Sequence, residues 1–370
     1  MLKFFSIKNH LLYGEKEVYL NFAETTEFPL NKNHILNGLK RRIIFYDNVS
    51  LLSSMFGESM FDIVENICPN RIIGYTINPN IQHNEVEYRY EFDFDTVEVQ
   101  YIYKKKGKDI LAESFYIHDT CVLEWKAGSP IKSIYNIPFI GEFNGSSLCS
   151  LVRFLGMYLH DKKDPIQKMY QHFRNFVSNM LYIDLLNVGP SMGYTTEHTD
   201  IVGYLCEQGR ENGFNDFLSS LDVHMELTVE EDRGVKILFD RKSGADFTTV
   251  ASSGTIRMMF IYYWMHRLLK EKRCTFFYIN NFDNFFHALV SAELYERMNF
   301  PSYQTIFNCK VNTNIVSSRI VRPDSCLTLQ DDKIYSLQDV FDKPLRAAHN
   351  FEKIFRTNFR KNIKLDIGKP

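Results

Sequence analysis

The sequence predicts a mixed α/β fold on three observations. The N-terminal third alternates apolar and polar residues with the two-residue period of half-buried strands. The middle repeats apolar residues at spacings of three and four, and residues 275–310 read as strand, helix, strand. With 370 residues and an apolar fraction of 45%, the chain has ample material for a packed core, in one composite domain or two ordinary ones. A net charge of −2 gives no overall field that selects a polyanionic partner. Seven cysteines without a Cys-x-x-Cys pair suit a reducing cytoplasm and speak against zinc. The N-terminus lacks the apolar core of a signal peptide. Residues 258–265, among the strongest apolar runs, are too short to span a bilayer, so a cytoplasmic protein with no membrane partner is expected.

In chain order, residues 2–7 and 17–22 alternate like strands around the turn at Tyr13-Gly14. Residues 85–94 and 97–103 form the next pair, with Tyr88, Tyr90, Phe92 and Phe94 on one face and Glu87, Arg89, Glu91 and Asp93 on the other. Lys104-Lys105-Lys106-Gly107-Lys108 reads as the solvated tip of a hairpin, and residues 111–125 extend the sheet. From Gly145 to about Leu221 the composition turns helical. Ile166, Met169, Tyr170, Phe173, Val177, Met180 and Leu181 give one apolar face, either packed on the core or forming a projecting arm. Residues 189–213 read as a mobile connection. Strands return at 225–229 and 235–239, followed by Ser252-Ser253-Gly254-Thr255, a helical segment to Leu269, the basic cluster 270–273, and an apolar strand 275–279 ending in Asn280-Asn281.

Residues 43–46 form a buried strand that runs into 47–54 and then a helix, the arrangement in which a phosphate-binding loop would lie. The pattern Gly-x-x-x-x-Gly-Lys-Ser supplies glycines whose N–H groups wrap phosphate and a lysine that neutralises it. Here Asp47 and Leu52 stand at the glycine positions and Ser53 at the lysine position; only Ser54 agrees. The two Gly-Lys pairs elsewhere, Gly107-Lys108 and Gly368-Lys369, are followed by Asp109 and Pro370.

Residues 251–287 resemble the signature motif, its helix and the acid-bearing strand of ABC-type ATPases. The Ser-Ser-Gly-Thr form is that of the SMC-like and OLD-nuclease-like group. Asp283-Asn284 matches the loop after the strand, His287 the histidine opening the next helix, and residues 304–310 the strand before the switch histidine. Arg322-Pro323-Asp324, Tyr335-Ser336-Leu337 and Arg346 resemble the closing pattern, so the likeness runs through nearly the whole chain. The resemblance implies an ABC ATPase-like head with a mixed sheet, an antiparallel N-terminal sheet and a helical insertion. Its parts would be an N-terminal lobe at 1–145, the insertion at 146–221, a C-terminal lobe at 222–350 and a basic tail at 351–370.

Against that family, Asn280 replaces the magnesium-ligand acid, Asn281 the general-base glutamate and Lys310 the switch histidine. Loss of a general base costs about 10²–10⁴ in rate. A carboxylate made neutral forfeits roughly 4 kcal/mol of attraction to a unit charge at about 4 Å. The resemblance therefore implies a pseudo-ATPase with no metal and no cofactor in cis. It would act as a scaffold or regulatory subunit of a homo- or hetero-oligomer, in the bacterial anti-phage systems to which many such proteins belong. Its partner would be an intact ATPase or an effector nuclease. A second expectation is half of a composite enzyme, with Ser252, Ser253, Gly254 and Thr255 facing ATP and magnesium held mainly by a partner. A third is an SMC-like head that binds DNA or RNA, with Lys353, Arg356, Arg360, Lys361, Lys364 and Lys369 around the stripe Phe351, Phe355 and Phe359; such a stripe is more often docked core than a nucleic-acid element. On the residues alone, Ser252 and His287 are ordinary helix caps, and Asn280-Asn281 ends a strand and begins a turn.

Overall fold

The computed structural model describes residues 1–10, 15–23, 28, 31–46, 52–68, 85–107, 109–136, 150–187, 192–193, 201–207, 209–230, 234–239, 243–310, 315–330, 332–341 and 343–359. The chain opens with β1 (Leu2–Lys8) and β2 (Glu17–Asn21), and the short pair β3 (Ile35–Leu36) and β4 (Leu39–Lys40) leads into β5 (Arg42–Tyr46). Helices α1 (Leu52–Ser59) and α2 (Asp62–Ile67) follow, then β6 (Val86–Phe94), β7 (Val97–Lys106), β8 (Asp109–Ile117), β9 (Thr120–Lys126) and β10 (Lys132–Ser133). Next come α3 (Leu151–Leu155), α4 (Pro165–Ser178), β11 (Met180–Asp184), β12 (Met192–Gly193), α5 (Ile201–Cys206) and α6 (Arg210–Ser219). Strands β13 (Glu226–Glu230), β14 (Gly234–Phe239) and β15 (Ser243–Asp246) make a small sheet, followed by α7 (Phe247–Val250) and α8 (Ser253–Glu271). The chain then continues through β16 (Phe276–Asn280), α9 (Ala288–Arg297), β17 (Gln304–Cys309), β18 (Cys326–Gln330), β19 (Lys333–Ser336) and α10 (Phe351–Phe359).

Two seven-stranded sheets dominate, as the α/β reading requires. One is antiparallel in the order β10-β9-β8-β7-β6-β1-β2; the other is mixed, β12-β11-β16-β17-β5-β18-β19, with β11, β16, β17, β5 and β18 parallel. The antiparallel strands alternate buried and half-buried residues, so only one face of that sheet is covered. Strands β5, β16 and β17 are buried at every residue, as parallel strands covered on both faces must be. One core lies between the sheets and takes Phe56, Met60 and Phe61 together with Phe173 and Val177 of α4. A second core on the far face of the mixed sheet takes Phe214, Trp264, Tyr295 and Phe355.

Three sequence expectations change. Helices α3 to α6 lie within 146–221 together with strands β11 and β12, and the apolar pattern 166–181 divides: α4 ends at Ser178, and Met180 and Leu181 open β11 beside β16. A short, fully apolar run satisfies either period, and here pairing with β16 decides it. Helix α4 packs Phe173 against Phe92 (5.3 Å) and Phe115 (5.0 Å), which is the core reading and not a projecting arm. Residues 189–213 contain β12, α5, the turn residues Glu207 and Gly209 and the start of α6; the rest of that stretch lies outside the described residues. In the lysine run, Lys105 is not at a solvated tip. It is 1% exposed, with its ammonium 3.0 and 2.9 Å from the Asp62 carboxylate oxygens.

Polar groups tie the layers together. The Gln304 amide accepts from the Leu2 N–H (2.8 Å) and donates to the Leu2 carbonyl (2.8 Å), so a β17 side chain completes the backbone of β1. Arg41 donates to the Phe300 carbonyl (2.9 Å) and Asn299 Oδ1 (2.8 Å), and Arg42 to the Tyr295 carbonyl, placing two cations at the C-terminal end of α9, where the helix dipole favours them. His34 lies against Arg42 (3.4 Å) and is pushed down to about 3, by burial first and then by Arg42, Arg41 and Arg322. Burial alone lowers His10 to about 4. A histidine depressed in the fold stabilises it above the unfolded value near 6.5 and loses that contribution as pH falls toward the folded value. We expect each to cost about 2 kcal/mol by pH 5. Urea midpoints at pH 7 and pH 5 check this, and His34→Gln should remove its share of the difference.

Candidate functional site

The C-terminal ends of the parallel strands gather the residues singled out between 275 and 310. The register places Asp184 of β11 opposite Asn280 of β16, and Ile279 opposite Phe307. Side chains alternate along a strand, and Tyr182, Tyr278 and Ile306 all face the core that α1 covers. Asp184, Asn280 and Asn308, two residues further on, therefore form a row on the same side. Asn308 Nδ2 donates to Asn280 Oδ1 at 2.6 Å. Asn281, 2% exposed at a φ of 56°, donates to Asp184 Oδ1 at 2.6 Å and accepts from Asn284 at 3.2 Å. Asparagine tolerates this left-handed backbone better than most residues, which suits the tight turn out of β16.

That turn is fixed from β17. The Phe282 N–H donates to the Asn308 carbonyl (2.9 Å), and the Lys310 N–H to Asp283 Oδ1 (2.7 Å). Lys310 thus contributes a backbone donor at the end of β17, and Asp283 is a buried turn carboxylate. His287 is exposed at the N-cap of α9, its Nδ1 3.4 Å from the Leu289 N–H, which is the capping geometry.

Two carboxylates that sequence reasoning missed lie here. Asp184 ends β11, and Glu58 projects from α1 to accept from the Tyr182 hydroxyl at 3.2 Å. Burial raises the Glu58 carboxyl above its ordinary value; the Tyr182 hydrogen bond works against this, and the Asp184 charge adds to it. The signal for Asp184 was an acid closing the apolar run Met180–Asp184, hidden because its first residues fit the preceding helical period. Helix α1 approaches closely because residue 57 is glycine: a Cβ there would stand 2.1 Å from Tyr278 Cζ. Of the phosphate-loop positions, Leu52, Ser53 and Ser54 open α1, and Asp47 lies outside the described residues.

Ser252 caps α8, its Oγ accepting from the Thr255 N–H (3.1 Å) and lying 2.8 Å from the Thr255 hydroxyl. A Cβ on Gly254 would meet the Phe285 carbonyl at 2.9 Å, so the turn after β16 packs on this helix start. Arg257 joins the same region, donating to the carbonyls of Leu185 (3.0 Å), Leu186 (3.1 Å) and Ser253 (3.2 Å) and lying over the Phe285 ring at 4.2 Å. Ser252 and Ser253 remain exposed, together with Val250 (45%), Leu186 (50%) and Leu289 (73%). The sequence motif and the strand-end row therefore meet through Arg257 and the 281–285 turn.

Among the described residues, no group of three or more His, Cys, Asp or Glu side chains is placed to hold a metal ion, and no helix is long and apolar enough to cross a membrane. In α10, Phe351, Phe355 and Phe359 are buried, and the Phe355 ring packs tilted against Tyr46 at 4.6 Å; the aromatic stripe is docked core, and residues 360–370 lie outside the described residues.

No family model matches the chain, and no curated protein matches it. Among solved structures it is similar to an SMC head domain from Thermotoga maritima, with a TM-score of 0.40 and 12% identity over 93% of this chain and 99% of that one. It is also similar to an SmcHead bound to the C-winged helix domain of ScpA (TM-score 0.42, 13% identity, 92% and 98% covered). A third likeness is to an Smc head domain with an extended coiled coil bound to the C-terminal domain of ScpA, derived from Pyrococcus furiosus (TM-score 0.41, 11% identity, 92% and 97% covered).

Proposed function

We propose that this chain is an ABC ATPase-like head that has lost its own hydrolytic site and serves as a scaffold or regulatory subunit of a multi-protein complex, in bacterial anti-phage defence. The observation that carries the reading is the row Asp184, Asn280, Asn308 at the carboxyl ends of parallel strands, where ligands bind in open α/β sheets. At the two positions where the resembled family needs acids, amides are engaged with protein groups: Asn280 Oδ1 with Asn308, Asn281 with Asp184. Magnesium-ATP does not fit this donor set in cis. Asp184 already accepts from Asn281 and the Leu186 N–H (2.9 Å), and the sequence supplies no phosphate-loop lysine.

A second reading, a composite site completed by a partner's nucleotide, is favoured by one further observation. The α8 start presents Ser252 and Ser253 to solvent beside exposed Val250 and near exposed Leu186, whose carbonyl Arg257 of α8 bonds, a rim suited to a protein interface. Purification from the native host, mass spectrometry of what accompanies the chain, and nucleotide extraction test both. Associated proteins without nucleotide on the isolated chain are expected. Stoichiometric ATP on the chain alone would overturn the first reading, and recovery of homo-oligomers only would sink the composite one.

A further inference from the structure

A groove lies at the opposite edge of the mixed sheet, five strands from β11 and so roughly 24 Å from Asp184 at about 4.8 Å per strand. It consists of two hollows of about 710 and 480 Å³ that share Phe341. The first runs between β2 and β19 past Tyr19, Lys40, Lys333 and Tyr335; the second is bounded by Lys343, Arg346 and His349 over Pro344 and Leu345.

The groove is built, not incidental. Gln338 donates to the carbonyls of Phe341 (3.0 Å) and Lys343 (3.0 Å) and accepts from the Leu345 N–H (2.9 Å), tying those three residues to one side chain. His349 Nδ1 accepts from the Arg346 N–H at 2.8 Å, and a capping box joins Ser336 and Asp339. Two aromatic rings are partly open to solvent: Tyr19 at 48%, with one face stacked on Phe4 at 5.7 Å, and Phe341 at 40%. The Lys333 ammonium stands 5.1 Å from the Tyr335 ring, and Lys40 is buried to 5% exposure with its ammonium 3.4 Å from the Asn21 carbonyl. Of the described lining residues, Asp339 alone is acidic, and its carboxylate accepts from the Ser336 N–H at 2.6 Å. Lys333, Lys343 and Arg346, all exposed, and His349 thus stand around the aromatic rings, with Lys40 held beneath them.

We propose that this groove binds single-stranded nucleic acid, with bases on Tyr19 and Phe341 and phosphates toward Lys333, Lys343 and Arg346. Unpaired bases offer flat faces that stack on aromatic side chains without regard to sequence, while cations follow the backbone. A duplex keeps its bases stacked within itself and leaves the rings unused. An acidic peptide would gain from the charges alone.

Fluorescence anisotropy of the full chain with a labelled twelve-nucleotide oligothymidylate tests this, using a duplex of equal length and polyglutamate as competitors. Expected are preference for the single strand and a log–log salt slope of about −2, since each of the three phosphate contacts contributes about −0.7. Phe341→Ala should weaken binding by about 5- to 150-fold, and Arg346→Ala should make the slope shallower by about 0.7. Both side chains are exposed, so urea midpoints should be unchanged and the loss is read at constant fold. Absence of binding at low salt, duplex binding of equal strength, or affinity indifferent to both substitutions would overturn the proposal. Polyglutamate competing as well as oligothymidylate would also overturn it, in favour of a surface for acidic peptides.

Discussion

Replacing Lys105 by methionine is expected to lower the stability of the fold by about 3–5 kcal/mol, the loss typical of a buried ion pair stripped of one partner. The Lys105 ammonium and the Asp62 carboxylate are 1% and 0% exposed, and the Tyr103 hydroxyl donates to the same carboxylate at 2.7 Å. Glu65, 3.8 Å away and half-buried, is the other acid near the ammonium. Methionine fills the lysine stem but leaves Asp62 charged in the interior with one hydroxyl to hold it. The pair joins α2 to β7, so its loss loosens the helices α1 and α2 from the antiparallel sheet. Urea denaturation measures the effect. The double variant Lys105→Met with Asp62→Asn should recover much of the loss, because no charge is then buried; a single variant as stable as the parent would show the carboxylate to be solvated.

Asn281→Asp is expected to cost about 2–4 kcal/mol near neutral pH, by bringing a second carboxylate against Asp184 in place of the 2.6 Å hydrogen bond. Aspartate tolerates the left-handed backbone at residue 281 much as asparagine does, so the loss is electrostatic and not conformational. The sign fixes the pH window. A carboxyl raised in the fold by a like charge destabilises above its folded pKa and recovers as pH falls and one proton is shared by the pair. Urea midpoints at pH 7 and pH 4 should therefore differ less in the variant's disfavour at the lower pH. Exchanging the groups, Asn281→Asp with Asp184→Asn, should restore stability at neutral pH by moving the single carboxylate from β11 to the turn after β16. Neither variant should hydrolyse ATP, since Asn280 and the phosphate-loop positions are unchanged; turnover by either would contradict the loss of function argued from the whole site.

The elements with long, regular periods are legible in the residues themselves. The alternation through Tyr88, Tyr90 and Phe92 fixes β6 because a two-residue period exposes one face only, and the three-and-four spacing through Phe173 and Val177 fixes α4 in the same way. Chemical type is equally legible: an amide at 280 or 281 remains an amide wherever the chain places it. Position is not. Met180 and Leu181 satisfy both helix and strand, and only pairing with β16 makes them strand. That pairing brings Asp184 to the row of Asn280 and Asn308 from nearly a hundred residues away. Likewise Lys105 reads as solvated among its lysine neighbours, until β7 packs on α2 and turns that one side chain toward Asp62. Local sequence carries backbone periodicity and side-chain chemistry because both are properties of neighbouring residues. Which charges meet, and which are withdrawn from water, depends on contacts between distant segments, and so only the tertiary structure decided them.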